Sequence, residues 1–312
     1  MSRAFVFPGQ GAQTIGMGRA LADRYSEAKA VFEEVDSALG EKLSDLIWNG
    51  APEELQLTAN AQPALMATSI AAFRALGAEG IQITDAAFVA GHSLGEYSAL
   101  AAAGALSIPD AARLLRIRGT AMQEAVPVGE GAMAALLGLD FKTAAKVAAE
   151  AAQGEVCQAA NDNDPAQVVV SGHKGAVERA VEIAKAHGAR RAVLLPVSAP
   201  FHCALMQPAA DRMAEALAEV TLAAPAVPVV ANLRAEAVRD PEEIRALLVG
   251  QVTGAVRWRE SVSWMVENGV QEFWEIGAGK ALSGMIKRIA KGSVTRNFAE
   301  PADLEALPGK AG

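Results

Sequence analysis

The chain has 312 residues, 51% of them hydrophobic and 21% charged, and a formal net charge of −8. Such a length suits two domains, or one large domain with an insertion, and buries a core without disulfides or metal. The acidic balance argues against general nucleic-acid binding, and two cysteines, Cys157 and Cys203, exclude a disulfide framework or a four-cysteine zinc site. No apolar run reaches the length of a membrane span, and MSRAFVFPGQG offers too short an apolar stretch before Pro8 for a signal peptide. A reducing, cytoplasmic setting is therefore expected.

In chain order, AFVF (4–7) predicts a short strand, PGQGAQ a turn, and the segment from Met17 to about Ala78 a helical stretch broken at GAPEEL (50–55). DAAFVAGHS (85–93) predicts the next strand, followed by helix through SALAAAGAL and again over 109–126, with Pro109 at a first turn. Composition then shifts. Strand (131–138), helix (141–152), strand (155–161), strand (166–171), helix (174–187) and strand (190–197) give βαββαβ, the ferredoxin-like order. VQEFWEIGAG (270–279) predicts one more buried strand, and PADLEALPGKAG a frayed tail. The fold class expected is α/β. A large body with a parallel sheet, α/β-hydrolase-like, spans 1–127 and 199–300, a small subdomain occupies 128–198, and 301–312 forms a flexible tail.

VAGHSLGEYSAL (89–100) sets Ser93 between Gly91 and Gly95, the G-x-S-x-G pattern of a nucleophile on a sharp strand-to-helix turn. Free N–H groups of the following helix would face negative charge developing near Ser93; a tight turn with a serine N-cap is the plainer alternative. A serine hydroxyl needs a base, and the sequence has four histidines. His92 adjoins the serine and reads as support for the turn. His173 starts a helix and His187 ends one, where capping and charge explain them. His202, in LLPVSAPFHCALMQPA, follows an apolar strand as the chain re-enters the body, where α/β folds assemble sites; a satisfied core histidine is its alternative. No downstream acid stands out to fix its tautomer. A carbonyl oxygen could serve, with Gln251 as candidate.

FPGQGAQ (7–13), LTANAQPAL (57–65), GHSLGEYSAL (91–100), RGTAMQEA (118–125), GAMAALLGL (131–139), VSAPFHCALMQPA (197–209), QVTGAVRW (251–258) and EIGAGKALSGMIKRI (275–289) together span nearly the whole chain. In these segments and their order, the sequence resembles the malonyl-CoA:acyl carrier protein transacylases of bacterial fatty-acid synthesis and the acyltransferase domains of polyketide synthases. The resemblance implies Ser93 as acylated nucleophile, His202 as base and Gln251 as the residue orienting it. It implies an oxyanion hole from the N–H groups of Gln10 and Leu94 and supporting roles for Gln62, Asn161 and His92. Arg118 would bind the malonyl carboxylate, which a planar guanidinium can grip with two hydrogen bonds. Phe201 would narrow the pocket. Cys203 and Ala278 replace the family's common serine and proline, and Cys203 reads as a packing residue.

The reaction so implied is ping-pong transfer of malonyl from malonyl-CoA to the phosphopantetheine thiol of acyl carrier protein. It needs no metal or redox cofactor, and the expected protein is a cytoplasmic monomer without nucleic-acid or membrane partners. Because the carrier is acidic, a basic patch drawn from Lys280, Lys287, Arg288, Lys291, Arg190 and Arg191 is expected despite the acidic total. Three alternatives stand beside this: a serine thioesterase or other hydrolase, a polyketide-pathway acyltransferase with the same chemistry, and a catalytically dead coenzyme-binding module. The hydrolase discharges its acyl group to water and has no need of Arg118; the dead module has no need of Ser93, His202 and Arg118 together.

Overall fold

The computed structural model describes residues 2–307. β1 (Ser2–Phe7) is followed by α1 (Arg19–Arg24), α2 (Ser26–Leu39), α3 (Leu43–Asn49), α4 (Pro52–Gln56) and the long α5 (Thr58–Ala78). β2 (Phe88–Gly91) then leads into α6 (Gly95–Ala102) and α7 (Ile108–Glu124). β1 and β2 pair in parallel, Phe7 opposite Gly91. Ala4 to Phe7 is buried at every position, because a parallel strand inside a sheet is covered on both faces and so reads as a continuous apolar run. Phe5 and Phe7 join the main core with α5 residues Leu65 and Ile70. Ala4 and Val6 face the opposite layer, with Trp258 and Leu282. Alternation of side chains along β1 thus fixes two helical layers.

The small subdomain comprises β3 (Gly131–Leu137), α8 (Phe141–Ala152), β4 (Cys157–Asp164), β5 (Gln167–His173), α9 (Lys174–Ala186) and β6 (Arg191–Leu194). Its sheet runs β4-β5-β3-β6 and every pair is antiparallel, the ferredoxin-like arrangement. Val147 and Val177 of the two helices pack on Leu136, Val168 and Val170 of the sheet. The chain then re-enters the body through α10 (Gln207–Ala218), β7 (Val229–Val230), β8 (Ala237–Val238), α11 (Pro241–Thr253), α12 (Trp258–Glu267), β9 (Val270–Ile276), α13 (Ala281–Ile289), β10 (Val294–Phe298) and α14 (Pro301–Glu305). The large sheet has the order β10-β9-β1-β2-β7-β8, parallel except for the β7–β8 pair.

Three expectations shift. β4 runs to Asp164, past the expected end at 161, because its polar residues meet the body rather than a turn. Asn161 bridges Val256, Asp162 pairs with Arg259 at 2.8 Å, Asn163 accepts from His92, and Asp164 pairs with Arg288 at 2.8 Å. β6 stops at Leu194, ahead of Pro196, rather than at 197. In the segment expected as a flexible tail, Pro301–Glu305 is helical, and Leu304 and Leu307 are buried in the main core; 308–312 lie outside the described residues. Among the described residues no helix is long and apolar enough to cross a membrane.

Candidate active site

Ser93 stands directly after β2, on a turn with no room for side chains. A Cβ on Gly91 would lie 1.9 Å from the Gly95 carbonyl carbon, and one on Gly95 would lie 2.3 Å from the Phe7 oxygen. The elbow holds Ser93 at φ 54°, a left-handed conformation that costs a non-glycine residue about 1–3 kcal/mol. Gly91→Ala is therefore expected to destabilise the fold by about 3 kcal/mol or more, read as a lowered urea midpoint. Gly77, an exposed residue of α5 without left-handed φ whose added Cβ would meet nothing within 4 Å, provides the control for tight packing.

His202, from the segment between β6 and α10, also sits at positive φ (58°). Its Nε2 lies 2.8 Å from Ser93 Oγ, and its Nδ1 lies 2.9 Å from the main-chain oxygen of Gln251, near the end of α11. A carbonyl oxygen only accepts, so Nδ1 carries the proton and Nε2 is the free base facing the hydroxyl. Burial, followed by the nearby Arg118 cation, pushes the imidazole down to about 3. At neutral pH it is uncharged, as a base must be.

That depression has a sign for stability. The unfolded chain protonates this histidine below about pH 6.5 and the folded one does not until about 3, so falling pH favours unfolding through that window. Relative to a His202→Gln variant, the wild type should lose about 1.4 kcal/mol per pH unit below 6.5, measured by urea titration at several pH values.

Arg118, on α7, is 1% exposed. Its Nη2 donates to Ser93 Oγ at 3.2 Å and to Gln251 Oε1 at 2.9 Å, and its Nη1 donates to Gln62 Oε1 at 2.7 Å. Its Nε has no partner, and no carboxylate contacts it among the described residues. The guanidinium is thus a buried cation held by neutral oxygens, with a donor unspent. Arg113 and Arg116 of the same helix pair outward with Asp110 and Glu41.

Gln62 is fixed in turn by Thr58, whose hydroxyl donates to Gln10 Oε1 at 2.9 Å. The Gly9–Gln10–Gly11 loop presses on the elbow: a Cβ at Gly9 would lie 2.6 Å from the His92 oxygen. The Gln10 and Leu94 N–H groups donate to no protein acceptor among the described residues, and both residues line the cavity beside Ser93. Two unspent N–H groups beside a serine hydroxyl are suited to stabilising an oxyanion.

The cavity measures about 440 Å³. Asn161, His92 and Phe201 also line it, as do Ala281 and Met285 of α13 at one wall. His92 Nε2 meets Asn163 Oδ1 at 2.8 Å, and burial lowers its pKa. His173 and His187 lie elsewhere, bonded to Val156 and Glu150. Cys203 is fully buried, its Sγ donating to the Pro200 oxygen, and burial raises its pKa, which opposes reactivity. No group of three His, Cys, Asp or Glu among the described residues is set to hold a metal ion.

Sequence reasoning missed Asn232 and Glu96. Asn232 Oδ1 accepts the Ser93 N–H at 2.7 Å, and its Nδ2 donates to the Gly91 oxygen at 2.6 Å. Its position just past β7, the strand next to β2, was the available signal. Glu96, three residues after the serine, is 2% exposed and accepts from Asn232 and Gln251. Burial drives its carboxyl up to about 7, against the hydrogen bonds and Arg118.

These groups are equipped for acyl chemistry at a serine. The chain belongs to the acyl transferase domain family, whose model matches residues 4–298. It is 48% identical over 303 residues to the malonyl CoA-acyl carrier protein transacylase of Escherichia coli strain K12, covering 97% of each chain. It superposes with a TM-score of 0.96 on the acyl-carrier-protein-S-malonyltransferase of Bartonella henselae, 55% identical and covering 98% of both chains. A third match is a malonyl-transacylase in complex with its type II PKS acyl-carrier protein, 43% identical, TM-score 0.94, covering 97% of this chain and 98% of that one.

Proposed function

We propose that this protein transfers malonyl groups from malonyl-CoA to the phosphopantetheine thiol of an acyl carrier protein, through a malonyl ester on Ser93. The observation that carries the reading is Arg118: a buried guanidinium 3.2 Å from Ser93 Oγ and in contact with no carboxylate among the described residues. A malonyl carboxylate supplies an anion to that cation, whereas a neutral acyl group leaves the buried guanidinium without one.

In the first half-reaction His202 Nε2 takes the Ser93 proton as Oγ attacks the thioester carbonyl carbon. The N–H groups of Gln10 and Leu94 stabilise the oxyanion, each contributing about 3 kcal/mol. Collapse breaks the carbon–sulfur bond, and His202 returns its proton to the departing CoA sulfur. In the second, His202 deprotonates the carrier's thiol, which attacks the ester, and the proton finally restores Ser93. Gln251 orients the imidazole through its carbonyl oxygen, and Gln62 steadies the guanidinium. Asn161, His92 and Phe201 shape the cavity around the acyl group. No step requires a metal or redox cofactor. We assign the enzyme to the cytoplasm, as a monomer, built as a body over 1–127 and 199–300 carrying a substrate-covering subdomain over 128–198.

Intact-protein mass spectrometry after mixing with malonyl-CoA tests the reading. The expected result is one malonyl adduct on Ser93 that persists in water and is discharged by a pantetheine thiol; rapid hydrolytic loss identifies a hydrolase instead. For carrier docking, Lys287 is the cleaner probe within the proposed basic patch of Lys280, Lys287, Arg288, Lys291, Arg190 and Arg191, since Arg288 is tied to Asp164. Lys287→Glu is expected to slow transfer to the carrier several-fold at low salt, while acylation by malonyl-CoA is unchanged. Equal carrier kinetics in the variant would remove Lys287 from the docking surface.

A further inference from the structure

We infer that Glu96 is a positioning residue of the transfer reaction, holding nucleophile, base and guanidinium in register through Asn232 and Gln251. The inference rests on the roles proposed above for Ser93, His202 and Arg118. Glu96 lies in the first turn of α6, and its Oε2 accepts two hydrogen bonds, from the Asn232 N–H and from Gln251 Nε2, each 2.9 Å long. Each of those two residues then acts on reacting groups. Asn232 clasps the elbow on both sides of His92, through the Ser93 N–H and the Gly91 oxygen. Gln251 gives its main-chain oxygen to His202 Nδ1 and its side-chain oxygen to Arg118 Nη2.

The donor and acceptor inventory leaves this arrangement one orientation. A guanidinium can only donate, so the Gln251 side chain must turn its oxygen to Arg118 and its NH₂ the other way. Glu96 Oε2 is the acceptor waiting there. The Ser93 oxygen and Asn232 Oδ1 lie at 3.2 and 3.3 Å from the same nitrogen, longer contacts than the 2.9 Å to Glu96. Without the carboxylate, Gln251 loses its shortest restraint, and Arg118 and the carbonyl behind His202 loosen with it. Asn232 loses the bond to its N–H as well, and with it part of the clasp on a strained serine. A neutral apolar residue would fill this interior position without the desolvation cost that a buried carboxylate carries.

Three variants test the inference against wild type, with rates expressed per titrated Ser93 and folding followed by thermal melts. Glu96→Ala is expected to acylate about 100-fold more slowly with malonyl-CoA, the penalty of displacements near 1 Å at reacting atoms, and with a raised KM. With acetyl-CoA, which has no carboxylate for Arg118, the fall should be smaller. Glu96→Gln, whose side-chain oxygen can occupy the Oε2 position, should recover most of the lost rate. Normal kcat and KM in a merely less stable Glu96→Ala would overturn the inference, as would equal losses with the two acyl donors, or a folded Glu96→Gln no faster than alanine. Should the alanine variant fail to fold, Glu96→Asp decides, its acceptor withdrawn by one methylene: a tenfold or greater loss with malonyl-CoA supports the role, and wild-type kinetics overturn it. Absence of any malonyl adduct on wild-type Ser93 would instead refute the proposed function itself.

Discussion

Ser93→Ala and His202→Ala are each expected to reduce malonyl transfer by about 10⁴-fold or more, and the double variant to be little worse than either. The expectation follows from the 2.8 Å contact between Ser93 Oγ and His202 Nε2. A hydroxyl without its base is scarcely nucleophilic, and a base without its hydroxyl has no proton to move, so the two act as a unit and their losses do not add. The variants differ in what they leave behind. Ser93→Ala should yield no adduct in the mass spectrum, whereas His202→Ala should acylate slowly to the same stoichiometry. Single-turnover mixing with malonyl-CoA measures both. Transfer surviving in Ser93→Ala would mean that the acyl group travels by another nucleophile, and the ester intermediate would have to be abandoned.

The elbow was legible because its chemistry is local. Gly91 and Gly95 are required by contacts within five residues and against β1, so a pentapeptide carries them. The small subdomain was legible for a similar reason: its helices and strands alternate at ordinary lengths, and their apolar periodicity is strong. What sequence reasoning lost was structure stabilised from a distance. Asp162 to Asp164 read as a turn because consecutive polar residues rarely sit in a buried strand, yet each finds a partner on the body, at Arg259, His92 and Arg288. Leu304 and Leu307 were too few to outweigh a Pro- and Gly-containing terminus, although both reach the main core.

For the candidate site, the individual residues were easier to name than their connections. Gln251 was singled out for a carbonyl oxygen, and the structure supplies that contact from the main chain; its side chain bridges Arg118 and Glu96 besides. Asn232 lies 139 residues from the serine whose N–H it accepts, and a lone asparagine after a two-residue strand carries no pattern. Such links depend on the β2–β7 pairing, which exists only once the sheet has formed.

Arg118→Ala should lower kcat/KM for malonyl-CoA by about 10³-fold, and for acetyl-CoA far less, so that the preference between them collapses. Removing one partner of a buried charge pair costs about 2–5 kcal/mol, and each 1.4 kcal/mol is a factor of ten. Some general loss is expected, since Arg118 also braces Gln62 and Gln251 and touches Ser93 Oγ. The acetyl-CoA reaction measures that loss separately, and the excess fall with malonyl-CoA is the share owed to the carboxylate. Arg118→Lys should recover little: an ammonium supplies charge but not the planar pair of donors, and it cannot reach Gln62, Gln251 and a substrate carboxylate together. The burial that lowers the guanidinium's pKa is also what makes the cation costly to leave unpaired, so a neutral acyl group is disfavoured before chemistry begins. Parallel losses for the two substrates would show that Arg118 only supports the architecture, and selectivity for malonyl would then have to come from elsewhere in the cavity.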